Sequence, residues 1–585
     1  MLKQLQLHFL SAALFLGLLS LPFLLVACGG DQASQVDQAS SKTGLVTAAD
    51  TSGPEPRLDS VFVIRAMQAD ANFKAQERWA RKFYRERQFR LGWFKQHQLV
   101  PQAATFLTVV AKAKDDGLDP KRYNVKQLDD MLSTLKSVGQ DTARRNQLER
   151  KLDVALSGTY FAWASDYYRG VANPRDTKND AWKVKRNKIK LDHALMTILR
   201  ERESTYPYYD FAPLHPEYDY LKKALALLRA RQASGGWPTL PATTRLKPGD
   251  ALPAVSLLRQ RLLGDEATGQ APATVAATAT PVNNVTAPAT ASYDSKLVAA
   301  VKIFQRDLGL PPTGLVSGET LRQLNVPIQD RVNQVILNME RWRWLPKKFE
   351  PDYLLVNIPE YRLRVYEQGK EALTMRVIVG KTLTATPVFS DKMEYVVLAP
   401  YWNVPYSIID KELRGRLVAN PHYLDRLDME VVKGYGRKAT VINPATINWA
   451  NVTQANFKYT VRRRPGPKND LGNVKFIFPN SNDIYLHDTP HDELFSQTKR
   501  SFSHGCVRVE EPVKLAAYLL RNNPAWSQPV IEDTIAQHRE KYITLKEKLP
   551  VYLVYLTAWA DADGHAHFRD DIYGHDKSLA KEYFN

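Results

Sequence analysis

Cysteine is almost missing from this chain. Its 585 residues hold two, Cys28 and Cys506, so no disulfide framework organises the fold and no four-cysteine metal site is available. Long apolar runs are equally scarce: only Phe9 to Ala27 is nearly uninterrupted. Nor is there a long block of like charge. Net charge is +18, from 80 basic and 62 acidic residues. The sharpest cluster is Arg462-Arg463-Arg464, too short for a nucleic-acid-binding tail. The excess favours anionic partners such as lipid or an acidic polymer, and nucleic acid is not expected; much of the charge is simple solvation. Apolar residues are plentiful at 44%, enough for two to four separately cored domains.

The N-terminus reads as an export signal. Lys3 opens it, the apolar stretch follows, and Leu25-Val26-Ala27-Cys28 resembles the bacterial lipoprotein box, in which the chain is cut before Cys28 and that cysteine is acylated. An uncleaved anchor competes, because the run is about long enough to span a bilayer. Pro22 and the small residues before Cys28 favour lipidation. Gly29, not Asp, follows the cysteine, which resembles default sorting to the outer membrane in enteric bacteria. The expected location is the periplasmic side of the envelope, with membrane attachment through Cys28. Residues 29–56 are rich in Ser, Ala, Gln, Asp and Gly and predict a disordered tether.

Helical periodicity dominates residues 57–245. Leu148, Leu152, Leu156 and Tyr160 recur at fourth positions, and Phe161, Trp163, Tyr167 and Tyr168 follow. Such an aromatic stripe is core far more often than ligand site, so this region predicts a helical scaffold. Residues 246–326 predict a small three-helix module, interrupted by a low-complexity Ala/Thr/Pro insert at 267–292. Val255, Leu258 and Leu262 line its first helix and Leu297, Val301, Phe304 and Leu308 its second. Gly309 and Ser317 are placed to cap the second and third. The last region, 327–585, opens with a linking helix, Val332 to Trp344, and then carries strand patterns at Tyr353 to Ile358, Arg362 to Tyr366, Thr374 to Val379, Glu394 to Leu398 and Val474 to Phe478. Between the last two, residues 407–464 read as a basic lid, expected to draw carboxylates to a site mouth.

Chemistry concentrates near the remaining thiol. In an exported chain an unpaired cysteine points to reactivity. Cys506 lies in Ser503-His504-Gly505-Cys506-Val507-Arg508, close to the start of a helix opened by Pro512, and His487 ends a predicted strand shortly before. A free thiol is only about a few per cent ionised at neutral pH. A partner imidazole accepts its proton and stabilises the thiolate. Gly505 lets the backbone approach a reacting carbonyl, and amides near Gly505 and Cys506 are candidate oxyanion donors. A buried structural cysteine would have apolar neighbours, which this one lacks. A zinc site from His487, His491, His504 and Cys506 has no familiar closed spacing.

These motifs, together with Trp402-Asn403-Val404-Pro405, Arg464-Pro465-Gly466-Pro467-Lys468-Asn469, Leu471-Gly472-Asn473-Val474-Lys475-Phe476 and His487-Asp488-Thr489-Pro490, resemble the L,D-transpeptidase family. The resemblance is to its large subclass, with a helical scaffold, an inserted wall-binding domain and a capped catalytic domain. Ala300-Val301-Lys302-Ile303-Phe304-Gln305, Leu308-Gly309-Leu310 and Thr313-Gly314 resemble the peptidoglycan-binding domain. The resemblance implies an α+β, multidomain chain with a β-sandwich-like catalytic core. It makes Cys506 the nucleophile and His487 the base, oriented through the Asp488 carbonyl. Tyr485, His504, Gly505 and Arg508 shape the site, and Trp402, Asn403 and Arg464 contact substrate. The implied reaction cross-links third-position residues of peptidoglycan stem peptides through a thioester, with no metal or organic cofactor. Same-fold hydrolysis and a non-catalytic wall-binding lipoprotein are the alternatives.

Overall fold

The computed structural model describes residues 55–174, 184, 187–200, 214–264, 291–434 and 438–584. The leader, Cys28, most of the tether expected at 29–56 and most of the insert expected at 267–292 lie outside the described residues. Among the described residues no helix is long and apolar enough to cross a membrane.

The helical period builds the scaffold region. Its central helix, Thr142–Arg169, starts where Asp141 accepts a bond from the Arg144 amide, satisfying an otherwise orphaned donor. It buries Leu152, Leu156, Tyr160, Phe161, Trp163, Tyr167 and Tyr168. Ser60–Ala69, Glu77–Glu86, Pro101–Ala111, Val125–Ser137 and Leu191–Arg200 pack around it. The aromatic stripe is therefore core. The small module holds three helices, Pro253–Leu263, Ser295–Asp307 and Gly318–Leu324, over a shared core of Val255, Leu258, Leu297, Val301, Leu321 and Leu324. Leu310 N–H bonds back to the Gln305 carbonyl past Gly309, closing the second helix as the sequence predicts. Ser317 occupies the N-cap of the third, but its side chain makes no capping bond.

Helix Ile328–Trp344 is exposed in its first turn and buried continuously from Val335 to its end. Val332, Val335, Met339 and Trp342 join the scaffold core, whereas Leu337 and Trp344 join the core of the sheet beyond. This helix is an axle between two cores rather than a simple linker.

Strands follow in the order β1 Tyr353–Asn357, β2 Arg362–Glu367, β3 Lys370–Gly380, β4 Phe389–Leu398, β5 Trp402–Asn403, β6 Met429–Lys433, β7 Thr440–Ile442, β8 Thr460–Arg463, β9 Val474–Ile477, β10 Leu486–His487, β11 Ser501–Ser503, β12 Val507–Val509, β13 Lys541–Val554, β14 Ala558–Ala560 and β15 Ala566–Phe568. Nine of them form one sheet in the order β11-β3-β12-β10-β9-β4-β13-β1-β2, and β2 pairs back on β3. The sandwich-like core is thus a sheet closed on itself, which removes most free edges. Its interior is filled by Leu354, Val356, Leu363, Val377, Val396, Phe476, Leu486, Val507 and Val551.

Between β4 and β9 the chain leaves this sheet. A helical run, Tyr406–Ile408, π-helical Ile409–Leu413 and Arg414–Ala419, packs on a second sheet of order β5-β8-β6-β7. Val404, Leu413, Leu417, Val431, Trp449 and Val461 give this insertion its own core. Trp402 and Asn403 form its edge strand, so it begins before residue 407. Buried Asn469 ties the two crossings together: its Nδ2 donates to the carbonyls of Pro400 at 2.8 Å and Arg464 at 3.0 Å, and its Oδ1 accepts from the Leu471 amide at 2.8 Å.

Candidate active site

Register places the thiol and the imidazole on one face. Parallel β10 and β12 pair Leu486 with Val507 and His487 with Arg508, and the Val507 amide donates to the Tyr485 carbonyl at 3.2 Å. Leu486, Val507 and Val509 point into the core. Side chains alternate along a strand, so Tyr485, His487, Cys506 and Arg508 point the other way. Antiparallel β9 sets Lys475 opposite His487. The row Lys475–His487–Arg508 therefore crosses three strands, with Tyr485 and Cys506 beside it. Lys475 Nζ lies 3.8 Å from the Tyr485 ring centroid, and the Tyr485 and His487 rings meet edge-on at 5.6 Å.

His487 Nδ1 lies 2.5 Å from the Asp488 carbonyl. A carbonyl only accepts, so Nδ1 carries the proton and Nε2 is the basic nitrogen. The Asp488 carboxylate is anchored by the amides of Asn473 and Thr489, each at 2.7 Å. Gly472 (φ +59°) makes room for it: a Cβ there would stand 2.3 Å from the Asp488 carboxyl carbon.

The Ser503–Cys506 turn is tied on both sides. Ser503 Oγ donates to the Cys506 carbonyl at 2.5 Å and accepts from the Gly505 amide at 3.1 Å. Thr386 Oγ1 donates to the Gly505 carbonyl at 2.7 Å, and Thr384 Oγ1 donates to the Ser503 carbonyl at 3.1 Å. Gly505 has φ +123°, a conformation L side chains rarely adopt. Its amide is already engaged by Ser503, which narrows the expected oxyanion donors to the Cys506 side of the turn.

Electrostatics set the resting protonation. Burial pulls His487 down to about 3, with the charges of Arg508 and Lys475 acting in the same direction. Burial pushes the Cys506 thiol up, while hydrogen bonds from Tyr485 and the Lys475 charge oppose it. The thiol points at the Asp483 carbonyl, 3.8 Å away. The pair therefore rests as thiol and neutral imidazole, not as the imidazolium-stabilised thiolate expected from sequence. Burial raises Asp488 to about 6 against the pull of its two amide donors.

Other predicted residues fall elsewhere. His504 is exposed on the turn. Trp402 and Asn403 pair with Arg463 and Arg462 in the insertion's sheet, which is separate from the Cys506–His487 face. Arg464 is engaged by Asp428 at 3.2 Å and Glu430 at 3.0 Å. Arg462 pairs with Glu430 at 2.7 Å and Arg463 with Asp470. The triple arginine thus holds the insertion together, and the expected attraction for carboxylates falls to Lys411, Lys433, Lys438 and Lys458, exposed and without ion-pair partners among the described residues. The zinc alternative is not built: among the described residues the His/Asp/Glu groups that converge are elsewhere, and His491 sits exposed beside Glu493 at 3.4 Å.

Sequence reasoning passed over Lys475, Ser503, Thr384 and Thr386 as site residues. Lys475 had a usable signal, because it shares the polar face of Val474-Lys475-Phe476-Ile477 once β9 is set against β10. The threonines had none; they reach the turn across a sheet contact more than a hundred residues away in sequence.

Comparison with known proteins adds family context. Residues 351–531 match the L,D-transpeptidase catalytic domain, residues 78–225 a scaffold domain, and residues 283–324 a "Putative peptidoglycan binding domain". A Haemophilus influenzae protein named "Putative L,D-transpeptidase" is 35% identical over 246 residues, covering 42% of this chain and 48% of that protein. The match thus spans about half the length of this relative. A solved structure titled "Structure of the Ldtfm-avibactam carbamoyl enzyme" aligns at 12% identity over 44% of this chain and 80% of the other, with a TM-score of 0.16, too low to carry an argument.

Proposed function

We propose, from the premise that this chain carries the L,D-transpeptidase catalytic domain, that it cross-links the third-position residues of two peptidoglycan stem peptides through a thioester on Cys506. The observation that carries the reading is the shared face of Cys506 and His487, with Nδ1 of the imidazole fixed on the Asp488 carbonyl. Cys506 Sγ attacks the carbonyl between the third residue and the terminal D-alanine, and its proton passes to His487 Nε2. The sulfur–carbon bond forms as the carbonyl becomes an oxyanion facing the Cys506 amide; a donor there is worth about 3 kcal/mol. Collapse breaks the amide bond, and His487 returns the proton to the departing D-alanine amine. An amine of a second stem then attacks the thioester, gives its proton to His487 and frees the thiol. Because the thiol starts protonated, proton transfer accompanies attack rather than preceding it.

Lys475 and Arg508 place two cations beside the reacting atoms, suited to the carboxylates of a stem peptide. Trp402, Asn403 and the exposed lysines of the insertion are the proposed outer contacts, and Arg464 serves them by bracing β6 and β8. The leader supports placing the enzyme on the periplasmic side of the envelope, tethered through lipidated Cys28. The test is mass spectrometry of purified tetrapeptide muropeptides incubated with the protein. Cross-linked dimers with released D-alanine are expected. Tripeptides alone would assign hydrolysis, and unchanged muropeptides would leave only wall binding.

A second measurement addresses Lys475. Alkylation of Cys506 by iodoacetamide should rise with pH around a midpoint above the ordinary thiol value of about 8.5, because burial disfavours the thiolate. Lys475→Met removes a cation that favours the thiolate and should move the midpoint further upward. An unmoved midpoint would remove Lys475 from the electrostatics of the nucleophile.

A further inference from the structure

We propose that Asp307, His565 and His567 form a divalent-metal site that staples the three-helix module to the β14–β15 hairpin, with Zn²⁺ the ion its donors fit best. Asp307 is the last residue of helix Ser295–Asp307, whereas both histidines belong to the hairpin. The elements come from opposite ends of the final three hundred residues, and their ligand atoms all lie within 4.8 Å of one another. His565 Nε2 is 2.9 Å from one Asp307 oxygen, and His567 Nδ1 is 3.4 Å from the other. Tetrahedral zinc ligands at ordinary bond lengths stand about 3.3 Å apart, so the observed spacing brackets what an ion needs.

One ring is set between two carboxylates. His567 faces carboxylates through both nitrogens: Asp307 through Nδ1 and Asp561 through Nε2, the latter at 3.2 Å. A neutral imidazole donates through one nitrogen only and an imidazolium through both, so a second proton or a metal ion can sit on the Asp307 side. A cation shared by Asp307 and Nδ1 would take the place of the second proton, leaving Nε2–H to donate to Asp561. That is the usual arrangement of a metal-bound histidine, whose second nitrogen is oriented by a carboxylate. The ring is also held flat against Trp559, with centroids 5.5 Å apart and planes 16° apart. Half-exposed His565 leaves a solvent side where water completes the coordination. Two imidazoles and one carboxylate suit zinc better than magnesium or calcium, which prefer all-oxygen sets.

The surrounding interface is already organised. Arg569 donates to the Asp307 carbonyl at 2.7 Å while stacking 4.7 Å above Trp559. Arg322 and Gln323 of the module reach Asp570 at 2.7 and 2.8 Å. A metal here would lock the module against the hairpin rather than create the contact. The other convergent group, Glu86, Asp192 and His193, fits an ion less well: it offers one imidazole, and Lys82 Nζ already sits 2.5 Å from Asp192.

The experiment uses the full chain in detergent, stripped with chelator, with Cys506 alkylated so that the thiol cannot bind metal. Calorimetric titration with Zn²⁺ should give one ion per chain and raise the thermal midpoint. Asp561→Asn should weaken binding about 10–100-fold, and His565→Asn combined with Asp307→Asn should abolish both signals, while His193→Ala leaves them intact. Co²⁺ added to the unsubstituted protein should give the visible bands of a four-coordinate nitrogen–oxygen site, a readout that survives if the double variant folds poorly. No bound zinc, or binding that persists in the double variant, overturns the proposal.

Discussion

Replacing Cys506 with serine is expected to cut turnover of a tetrapeptide stem by at least about 10⁴-fold, because a hydroxyl is a far weaker nucleophile in a site built for a thiol. His487→Ala should cost about 10²–10⁴-fold through loss of the proton acceptor. The double variant should be little worse than Cys506→Ser, since residues that act as a unit do not add. His504→Ala should be mild: its side chain is exposed on the turn, whereas His487 is buried on the face that also carries Cys506. The assay is D-alanine release, with circular dichroism to verify folding. A silent His487→Ala beside an inactive His504→Ala would transfer the role of base to His504. The pH dependence separates the two further. His487 stays neutral down to about 3, so its acid limb should lie well below the ordinary imidazole range near 6.5. An acid limb at the ordinary histidine value would point to an exposed imidazole instead.

How far this could be read from sequence depends on the range of each interaction. Strand alternation and turn chemistry are local, so the strand runs near Tyr353, Arg362, Glu394 and Val474 and the position of His487 at a strand end were legible. The aromatic period of Thr142–Arg169 marked a core for the same reason. Closure of the sheet by β2 on β3 was not legible, because pairing partners leave no local trace. The lid arginines illustrate the failure best. Arg462-Arg463-Arg464 reads as a free basic cluster, but Glu430 and Asp428, some thirty residues away, pair with Arg462 and Arg464, and Asp470 pairs with Arg463. Thr386 and Thr384 likewise look like ordinary loop residues until β3 brings them beneath the Cys506 turn.

The axle helix carries the second large effect, and its sequence gives no warning. Met339-Glu340-Arg341-Trp342-Arg343-Trp344 looks like an exposed charged face, yet Glu340 and Arg343 are fully buried. Arg343 donates to Glu340 at 2.9 Å, to the Asp116 carbonyl at 2.5 Å and to the Tyr218 hydroxyl at 2.8 Å. Glu340 in turn accepts from the Ala172 amide at 2.9 Å. The pair thereby ties the segment after the scaffold's central helix, the helix Pro216–Ala233 that carries Tyr218, and the axle into one junction. Glu340→Ala should destabilise by about 3–5 kcal/mol, because it strands a guanidinium that cannot lose its charge in the interior. Arg343→Met should cost less and should depend on pH. Burial already raises Glu340, and without Arg343 it would rise further, so the folded state binds more protons than the unfolded state above the ordinary carboxyl range. Stability then falls as pH rises through that window, and the Arg343→Met penalty shrinks on acidification. The paired change Glu340→Leu with Arg343→Met should recover much of the loss, since neither charge remains buried alone. Urea unfolding midpoints at two pH values measure all three, with Glu340→Leu alone added to close the cycle. Penalties below about 1 kcal/mol for Glu340→Ala, or strict additivity in the pair, would mean the junction is held by its aromatic packing and not by this ion pair.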